Sequence, residues 1–150
     1  MQRATPLALL LVATPVLAAL AGSPARSEPA EAAPPQQAPP TFPLMRVVPK
    51  GEARTIAFYA SLFPDCSSQG PVVIRVLDKP QHGKVTIAEG DSFTRYAPAS
   101  PLAACNSRKV AGLKLVYEAE EGFEGLDSFR IFVINADGTG YESPVKVSVR

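Results

Sequence analysis

His82 is the only histidine in the chain, and imidazole is the side chain best suited to proton transfer near neutral pH. It could act as a general base or bind a metal ion. A serine nucleophile would need this histidine and an orienting carboxylate, yet no nucleophile-elbow motif surrounds any serine of the chain. His82 also precedes Gly83 in a segment typical of a turn. We therefore expect a structural role for His82, no catalytic residue, and a protein that is not an enzyme.

Acidic residues gather in one segment, and oxygen-rich loops of this kind can bind calcium. They are Glu118, Glu120, Glu121, Glu124 and Asp127. The Asp-x-Asp-x-Asp-Gly pattern of a calcium loop is missing, so we expect a solvated acidic corner, with no metal and no cofactor. Gly122 and Gly125 flank Phe123 but lack the helix and the Lys-Ser or Lys-Thr pair of a phosphate-binding loop.

Cys66 and Cys105 are the only two cysteines. An even number of cysteines in a chain exported to an oxidising compartment indicates a disulfide. A zinc site would need closer spacing or more ligand types, and a redox-active pair would normally be Cys-x-x-Cys. We therefore predict a structural disulfide between Cys66 and Cys105. Closing a loop of roughly 40 residues would stabilise the fold by up to about 4 kcal/mol in the chain-entropy model.

The N-terminus predicts that export. Residues 1–21 have the features of a secretory signal peptide, with Arg3 ahead of an apolar run from Leu7 to Leu20. The run is shorter than the roughly 20 residues that span a bilayer, and Pro15 interrupts it, so no membrane insertion is predicted. We expect a periplasmic or secreted protein.

The rest of the chain divides into a linker and one domain. Residues 22–43 are rich in Pro, Ala and Gln, a composition typical of a disordered linker. Residues 44–150 have the size of a single domain. The chain has 15 basic and 14 acidic residues, so no strong attraction to nucleic acid or to an anionic membrane is expected.

Short segments with period-two alternation of apolar and polar residues follow one another through this domain, separated by turn signals. The predicted strands are 44–48, 54–59, 72–77, 83–87, 113–118, 128–134 and 145–150. One predicted turn is Glu89-Gly90-Asp91. The pattern favours an all-β fold, an immunoglobulin-like antiparallel β-sandwich of about seven or eight strands. The expected inward sets are Phe129, Ile131 and Val133 in one strand, and Val145, Val147 and Val149 in the last.

From Lys79 to Arg150 the chain resembles the bacterial immunoglobulin-like and cadherin-like repeats found in tandem in large secreted surface proteins. Those repeats combine a Pro-x-His-Gly turn, a Gly-Phe-x-Gly-x-Asp-Ser-Phe segment, an Asp-Gly turn and a closing Val-x-Val-x-Val strand. The matching positions are Pro80, His82, Gly83, Gly122, Phe123, Gly125, Asp127, Ser128, Phe129, Asp137, Gly138, Val145, Val147 and Val149. The resemblance implies a sandwich in which Asp127 buttresses a corner. The chain contains a single copy of the repeat, and residues 97–112 look like an insertion in that repeat.

The leading hypothesis is an exported, non-enzymatic binding module whose partner is a protein or a cell-envelope polymer, because a scaffold of this class acts through a site placed on it. One candidate contact surface consists of Val116, Phe132 and Ile134, expected together on one outward face. The other is the basic pair Arg108 and Lys109 in the Cys105 insertion. A structural or self-associating envelope protein is the alternative, and a metal-dependent or hydrolytic enzyme is a remote one.

Overall fold

The computed structural model describes residues 37–150, which form an all-β domain. The strands of these residues are β1 (Leu44–Val48), β2 (Ala53–Tyr59), β3 (Ser61–Leu62), β4 (Ser68–Gly70), β5 (Val73–Asp78), β6 (Gly83–Phe93), β7 (Lys109–Ala119), β8 (Gly125–Ile134) and β9 (Gly140–Val149). A short 3-10 helix, Ala103–Ser107, lies between β6 and β7. The predicted signal peptide and residues 22–36 of the predicted linker lie outside the described residues. The predicted disorder does not extend to the end of that linker, since Thr41 bridges Glu142 of β9 and the Phe42 N–H donates a 2.8 Å hydrogen bond to the Glu142 carbonyl oxygen.

Two sheets form the sandwich, with strand orders β1-β9-β8-β5 and β2-β7-β6, while β3 and β4 pair with each other. Lettering β2 and β5 to β9 as B to G gives the sheets B-E-D and C-F-G of an immunoglobulin-like sandwich. The predicted fold class is therefore confirmed. One pair departs from the antiparallel expectation, because β1 runs parallel to β9. No hairpin joins these two strands, so no short connection requires them to be antiparallel.

The strand boundaries differ from the predicted ones around β6 and β7. The turn expected at Glu89-Gly90-Asp91 is wrong, since β6 runs through it and pairs with β7 along its whole length. Gly90 lies opposite Gly112, and the Phe58 ring packs close to Gly112, so an aromatic side chain covers a glycine within the sheet. β7 already begins at Lys109, so residues 109–112 of the expected insertion are strand. Two strands that were not predicted, β3 and β4, are only two and three residues long.

The core lies between the two larger sheets and confirms the predicted inward sets. The almost fully buried apolar side chains of β8 and β9 are Phe129, Ile131, Val133, Val145, Val147 and Val149. Leu115 and Tyr117 of β7 belong to the same buried cluster from the other sheet. Each such large apolar side chain contributes about 1.5–3 kcal/mol on burial, so the alternation in these three strands accounts for much of the driving force for folding.

Gly83 begins β6 at a position that has no room for a side chain. A Cβ atom there would lie 2.6 Å from Cζ of Tyr117 and 2.7 Å from the carbonyl oxygen of Glu118. The Tyr117 ring cannot move aside easily, because it is fully buried and its hydroxyl donates a 2.9 Å hydrogen bond to Asp127. We expect Gly83→Ala to lower the free energy of unfolding by about 1–3 kcal/mol, measured by urea denaturation.

Gly90 of the same strand provides the matched control. A Cβ atom at Gly90 would meet first Nζ of Lys114 at 3.0 Å, the far end of a flexible side chain that can swing away. Gly90→Ala is therefore expected to change the free energy of unfolding by less than about 0.5 kcal/mol. Equal losses in the two variants would contradict a steric origin and would point to a general cost of altering β6.

Candidate functional site

A cleft of about 930 Å³ opens beside β1 and β2, which are edge strands of the two different sheets. Arg46 bridges these strands, since its Nε donates a 2.7 Å hydrogen bond to the carbonyl oxygen of Ile56. The register of β2 against β7 shifts between Thr55 and Ala57, so Ile56 lies at a bulge. The cleft is thus a concave surface between the two sheets, in the size range of small-ligand sites. We refer to it as the tyrosine cleft.

Tyr59, Tyr96 and Tyr141 line the tyrosine cleft. The pKa of Tyr59 is raised to about 12, first by burial and then by Tyr141, against a lowering by Arg46. Burial likewise raises the pKa of Tyr96 and of Tyr141. All three phenols therefore stay protonated near neutral pH, where they offer neutral hydroxyl groups above partly buried rings. The Tyr141 ring is held edge-on to Phe42, with centroids 5.1 Å apart.

The charge in the tyrosine cleft is positive. Arg46 and Arg95 line it, against Asp137 as the acidic lining residue. The Arg46 guanidinium donates to the carbonyl oxygens of Ile56 and Met45, and within residues 37–150 it forms no ion pair. Asp137 already accepts hydrogen bonds from the backbone N–H and the hydroxyl of Thr139, which lower its pKa. The Arg46 charge thus has no carboxylate partner in the described domain.

Tyr96 is positioned by the segment that connects β6 to β7. The Asn106 side chain accepts hydrogen bonds from Thr94 Oγ1 and from the Tyr96 N–H, and donates one to the Tyr96 carbonyl oxygen, all at 2.9–3.0 Å. The Tyr96 hydroxyl donates to the Ala60 carbonyl oxygen at 3.1 Å. These bonds tie the connecting segment to Ala60, between β2 and β3, and hold the Tyr96 ring against the cleft.

The predicted disulfide is confirmed and anchors the same segment. Cys66 and Cys105 are bonded, with Cα atoms 5.4 Å apart. Cys105 is fully buried within the 3-10 helix, whereas Cys66 lies between β3 and β4. The bond therefore fastens the segment between β6 and β7 onto the β3–β4 hairpin. Asn106, the residue that positions Tyr96, directly follows the anchored cysteine.

The basic pair proposed as a contact surface lies at the start of β7. Arg108 Nη1 is 3.4 Å from the Asp65 carbonyl oxygen. Lys109 is in β7 and places Nζ 5.9 Å from the centroid of the Phe93 ring, which itself lines the tyrosine cleft. Lys109 is thus a strand residue next to the cleft, and Arg108 directly precedes the strand.

The apolar trio proposed as one surface is divided between two faces. Phe132 and Ile134 point outward from β8, with the Phe132 ring lying over Gly140 of β9. Val116 points outward from β7, in the other sheet. The grouping of Val116 with the other two is therefore wrong, because outward sides of different sheets face away from each other across the core. All three side chains are partly buried, and their role in binding remains a prediction.

His82 lies at a structural corner of the domain. Its ring stacks on Phe123 at 4.4 Å, and its Nδ1 is 3.8 Å from Oε2 of Glu120. The His82 contact with Asp127 is made by the backbone N–H, so the imidazole is not paired with that carboxylate. Asp127 buttresses the corner, as the repeat resemblance implied, by accepting bonds from residues 81, 82, 117 and 128.

Within residues 37–150, no group of three or more His, Cys, Asp or Glu side chains is placed to hold a metal ion. The same residues contain no helix long and apolar enough to cross a membrane. Comparisons of the chain with protein-family models, curated proteins and solved structures give no match. The resemblance to immunoglobulin-like and cadherin-like repeats therefore remains a prediction, and the tyrosine cleft carries the functional argument.

The tyrosine cleft was not predicted from the sequence. Arg46 and Tyr59 occupy separate strands, and Tyr96 and Tyr141 are still further along the chain. Each residue is ordinary for its own strand or loop, since aromatic residues are common in sheets. The one available signal was the position of Tyr96 just before the inserted segment, where a disulfide-anchored loop is a suitable place for recognition.

Proposed function

We propose that this protein is an exported, non-enzymatic binding module that engages a protein or a cell-envelope polymer through the tyrosine cleft. The observation that carries the proposal is the convergence of Tyr59, Tyr96 and Tyr141 with the uncompensated guanidinium of Arg46. Tyrosine and arginine are enriched at recognition surfaces, because each combines a large contact area with directional hydrogen bonds. Export rests on the predicted signal peptide and agrees with the disulfide.

The chemistry of the lining residues favours recognition over catalysis. The phenols have raised pKa values and stay protonated, and a guanidinium has hydrogen-bond donors but no acceptor. The histidine, the residue most suited to acid–base work, lies in the corner beside Phe123 and not in the cleft. Asp137, the carboxylate of the lining, is engaged by Thr139 and has a lowered pKa, which makes it a weak base. Such a set of groups is better suited to orienting and holding a ligand than to moving a proton.

The cleft is also rigidly built, which lowers the entropic cost of binding. Asn106 holds the Tyr96 backbone through two hydrogen bonds, and Arg46 ties β1 to the bulge of β2. The disulfide anchors the neighbouring residue Cys105. A ligand would therefore meet side chains that are already in place.

Site-specific photo-crosslinking tests the proposal. Phe93, exposed at the cleft, would be replaced by the photo-reactive analogue p-benzoylphenylalanine, and the protein irradiated with a bacterial envelope fraction. We expect a discrete adduct that excess unmodified protein abolishes. The same analogue at Thr86, on the outward side of β6, is the control and should give none. A third variant carries the analogue at Phe132. If Phe132 forms adducts and Phe93 does not, the binding site lies on the outer face of β8, and if neither position forms adducts the proposal is refuted.

Self-association is the second candidate function, favoured by an exposed apolar corner on the outer face of the four-stranded sheet. There Leu126 of β8 is 76% exposed and Met45 of β1 is 71% exposed. Val47 of β1 and Leu126 flank Ser148 of β9 from its two sides. Exposed apolar groups of this kind often mark contact surfaces. Sedimentation velocity over a range of concentrations would distinguish the candidates, since a protein that stays monomeric at all of them cannot have assembly as its main role.

A further inference from the structure

We infer that the ligand of the tyrosine cleft is a carboxylate-bearing sugar chain, an acidic glycan. The inference rests on the proposed function and narrows its partner from a protein or envelope polymer to one chemical class. Three properties of the cleft carry it: the occupied backbone groups of its walls, the form of its aromatic surface and the sign of its charge.

Side chains of the protein already engage several backbone groups at and beside the cleft. The carbonyl oxygens of Met45, Ile56 and Ala60 already accept hydrogen bonds from side chains of Arg46 and Tyr96. The N–H and carbonyl of Tyr96 are both bonded to Asn106. A peptide that adds to a sheet edge depends on main-chain hydrogen bonds. Side chains of the protein occupy these positions, which favours recognition through side-chain groups.

The side chains that remain suit a polyhydroxylated ring. A sugar presents an apolar face of C–H groups, which can lie on an aromatic ring, and a rim of hydroxyl groups, which can exchange hydrogen bonds with phenols. Tyr59 and Tyr141 supply both kinds of surface, because each has a partly buried ring and a protonated hydroxyl. The cleft is bounded by the exposed Phe93 ring, which adds further aromatic surface.

The charge selects an acidic sugar. Arg46 uses its Nε and Nη1 on backbone carbonyls, which leaves Nη2 to donate to a ligand. Arg95 adds a second positive charge, while Asp137 is already engaged by Thr139. A guanidinium forms strong charge-assisted hydrogen bonds with a carboxylate. A carboxylated sugar therefore satisfies the rings, the phenols and the guanidinium together.

Calorimetric titration with matched glycans tests the inference. The probes are tetragalacturonate, a hyaluronan tetrasaccharide and a muramic-acid disaccharide, each compared with its neutral methyl ester. We expect at least one acid to bind, and its ester to bind roughly tenfold more weakly, since a hydrogen bond between charged groups is lost. Arg46→Gln and Arg95→Gln should weaken binding of the acid by a similar factor. Arg75→Gln, on the outward side of β5, is the matched control and should leave it unchanged.

Each outcome separates the ligand class from the proposed function. Equal binding of acid and ester, or no effect of Arg46→Gln and Arg95→Gln, would overturn the acidic ligand. Tighter binding of a tetraglutamate peptide than of any glycan would overturn the sugar. If no glycan binds while Phe93 crosslinking succeeds, the inference fails and the binding function stands. If both experiments fail, both are rejected. Thermal melting of each variant checks that a loss of binding is not a loss of folding.

Discussion

Replacing Asp127 by alanine is expected to lower the free energy of unfolding by about 3–5 kcal/mol. Asp127 is only 5% exposed, yet its carboxylate accepts four hydrogen bonds. The donors are the N–H groups of Gln81, His82 and Ser128 and the hydroxyl of Tyr117. Alanine would leave these groups unpaired at a buried corner, and an unsatisfied buried donor costs more than the bond itself contributes. Urea denaturation at neutral pH measures the loss.

Asp91 provides the control for this substitution. It is an exposed carboxylate in β6, so Asp91→Ala should change the free energy of unfolding by no more than about 0.5 kcal/mol. Tyr117→Phe removes one of the four donors and should cost less than Asp127→Ala. If Asp127→Ala lowered the free energy of unfolding as little as Asp91→Ala, water would have to replace the carboxylate as acceptor. The stability of the corner would then not depend on Asp127.

Asp127 should also make the stability of the protein depend on pH. Burial alone would raise the pKa of Asp127, but the hydrogen bonds from Gln81, His82, Tyr117 and Ser128 together hold it below the ordinary value of 3.8. A carboxylate whose pKa is lower in the folded state stabilises the protein above its unfolded pKa. That contribution is lost as the pH falls below about 4 towards the folded pKa. Asp65 and Asp137 also have lowered pKa values, so the comparison of wild type with Asp127→Asn isolates this site. We expect a shallower loss of stability in acid for Asp127→Asn.

Removing the disulfide is the second change with a large expected effect. Cys66 and Cys105 are 39 residues apart, and a crosslink closing a loop of that length stabilises the fold by about 4 kcal/mol in the chain-entropy model. We expect the double variant Cys66→Ala with Cys105→Ala to lose a similar amount in urea denaturation. Alanine is chosen because Cys105 is fully buried, where a serine hydroxyl would add a polar cost of its own.

Reductant provides the control within the same experiment. Reduced wild-type protein should unfold at nearly the same urea concentration as the double variant, and reductant should not change the variant further. The anchored segment should loosen as well, since Asn106 follows Cys105 and holds Tyr96. Hydrogen exchange at the Tyr96 N–H would then become faster. A double variant as stable as wild type would show that the hydrogen bonds of residues 94–106 hold this segment without the crosslink.

Local sequence patterns were sufficient to predict the core and the crosslink. The alternation that made Phe129, Ile131 and Val133 inward is a property of any strand, because successive side chains point to opposite faces. The disulfide followed from the number of cysteines and the predicted export. The boundaries of β6 were less predictable, because Gly90 is a turn signal in sequence and became a strand residue only through its pairing with Gly112.

The sequence by itself determined that the chain builds an immunoglobulin-like sandwich and which side of each core strand is buried. Only the tertiary structure decided which surfaces exist. Alternation shows that Val116 and Phe132 point outward, but strand pairing assigns them to different sheets. The tyrosine cleft likewise depends on pairing between distant segments, since Arg46 and Tyr141 are brought to one side by the parallel register of β1 with β9. Contacts between residues far apart in the chain leave no local pattern, and this is the physical reason the site was not visible in the sequence.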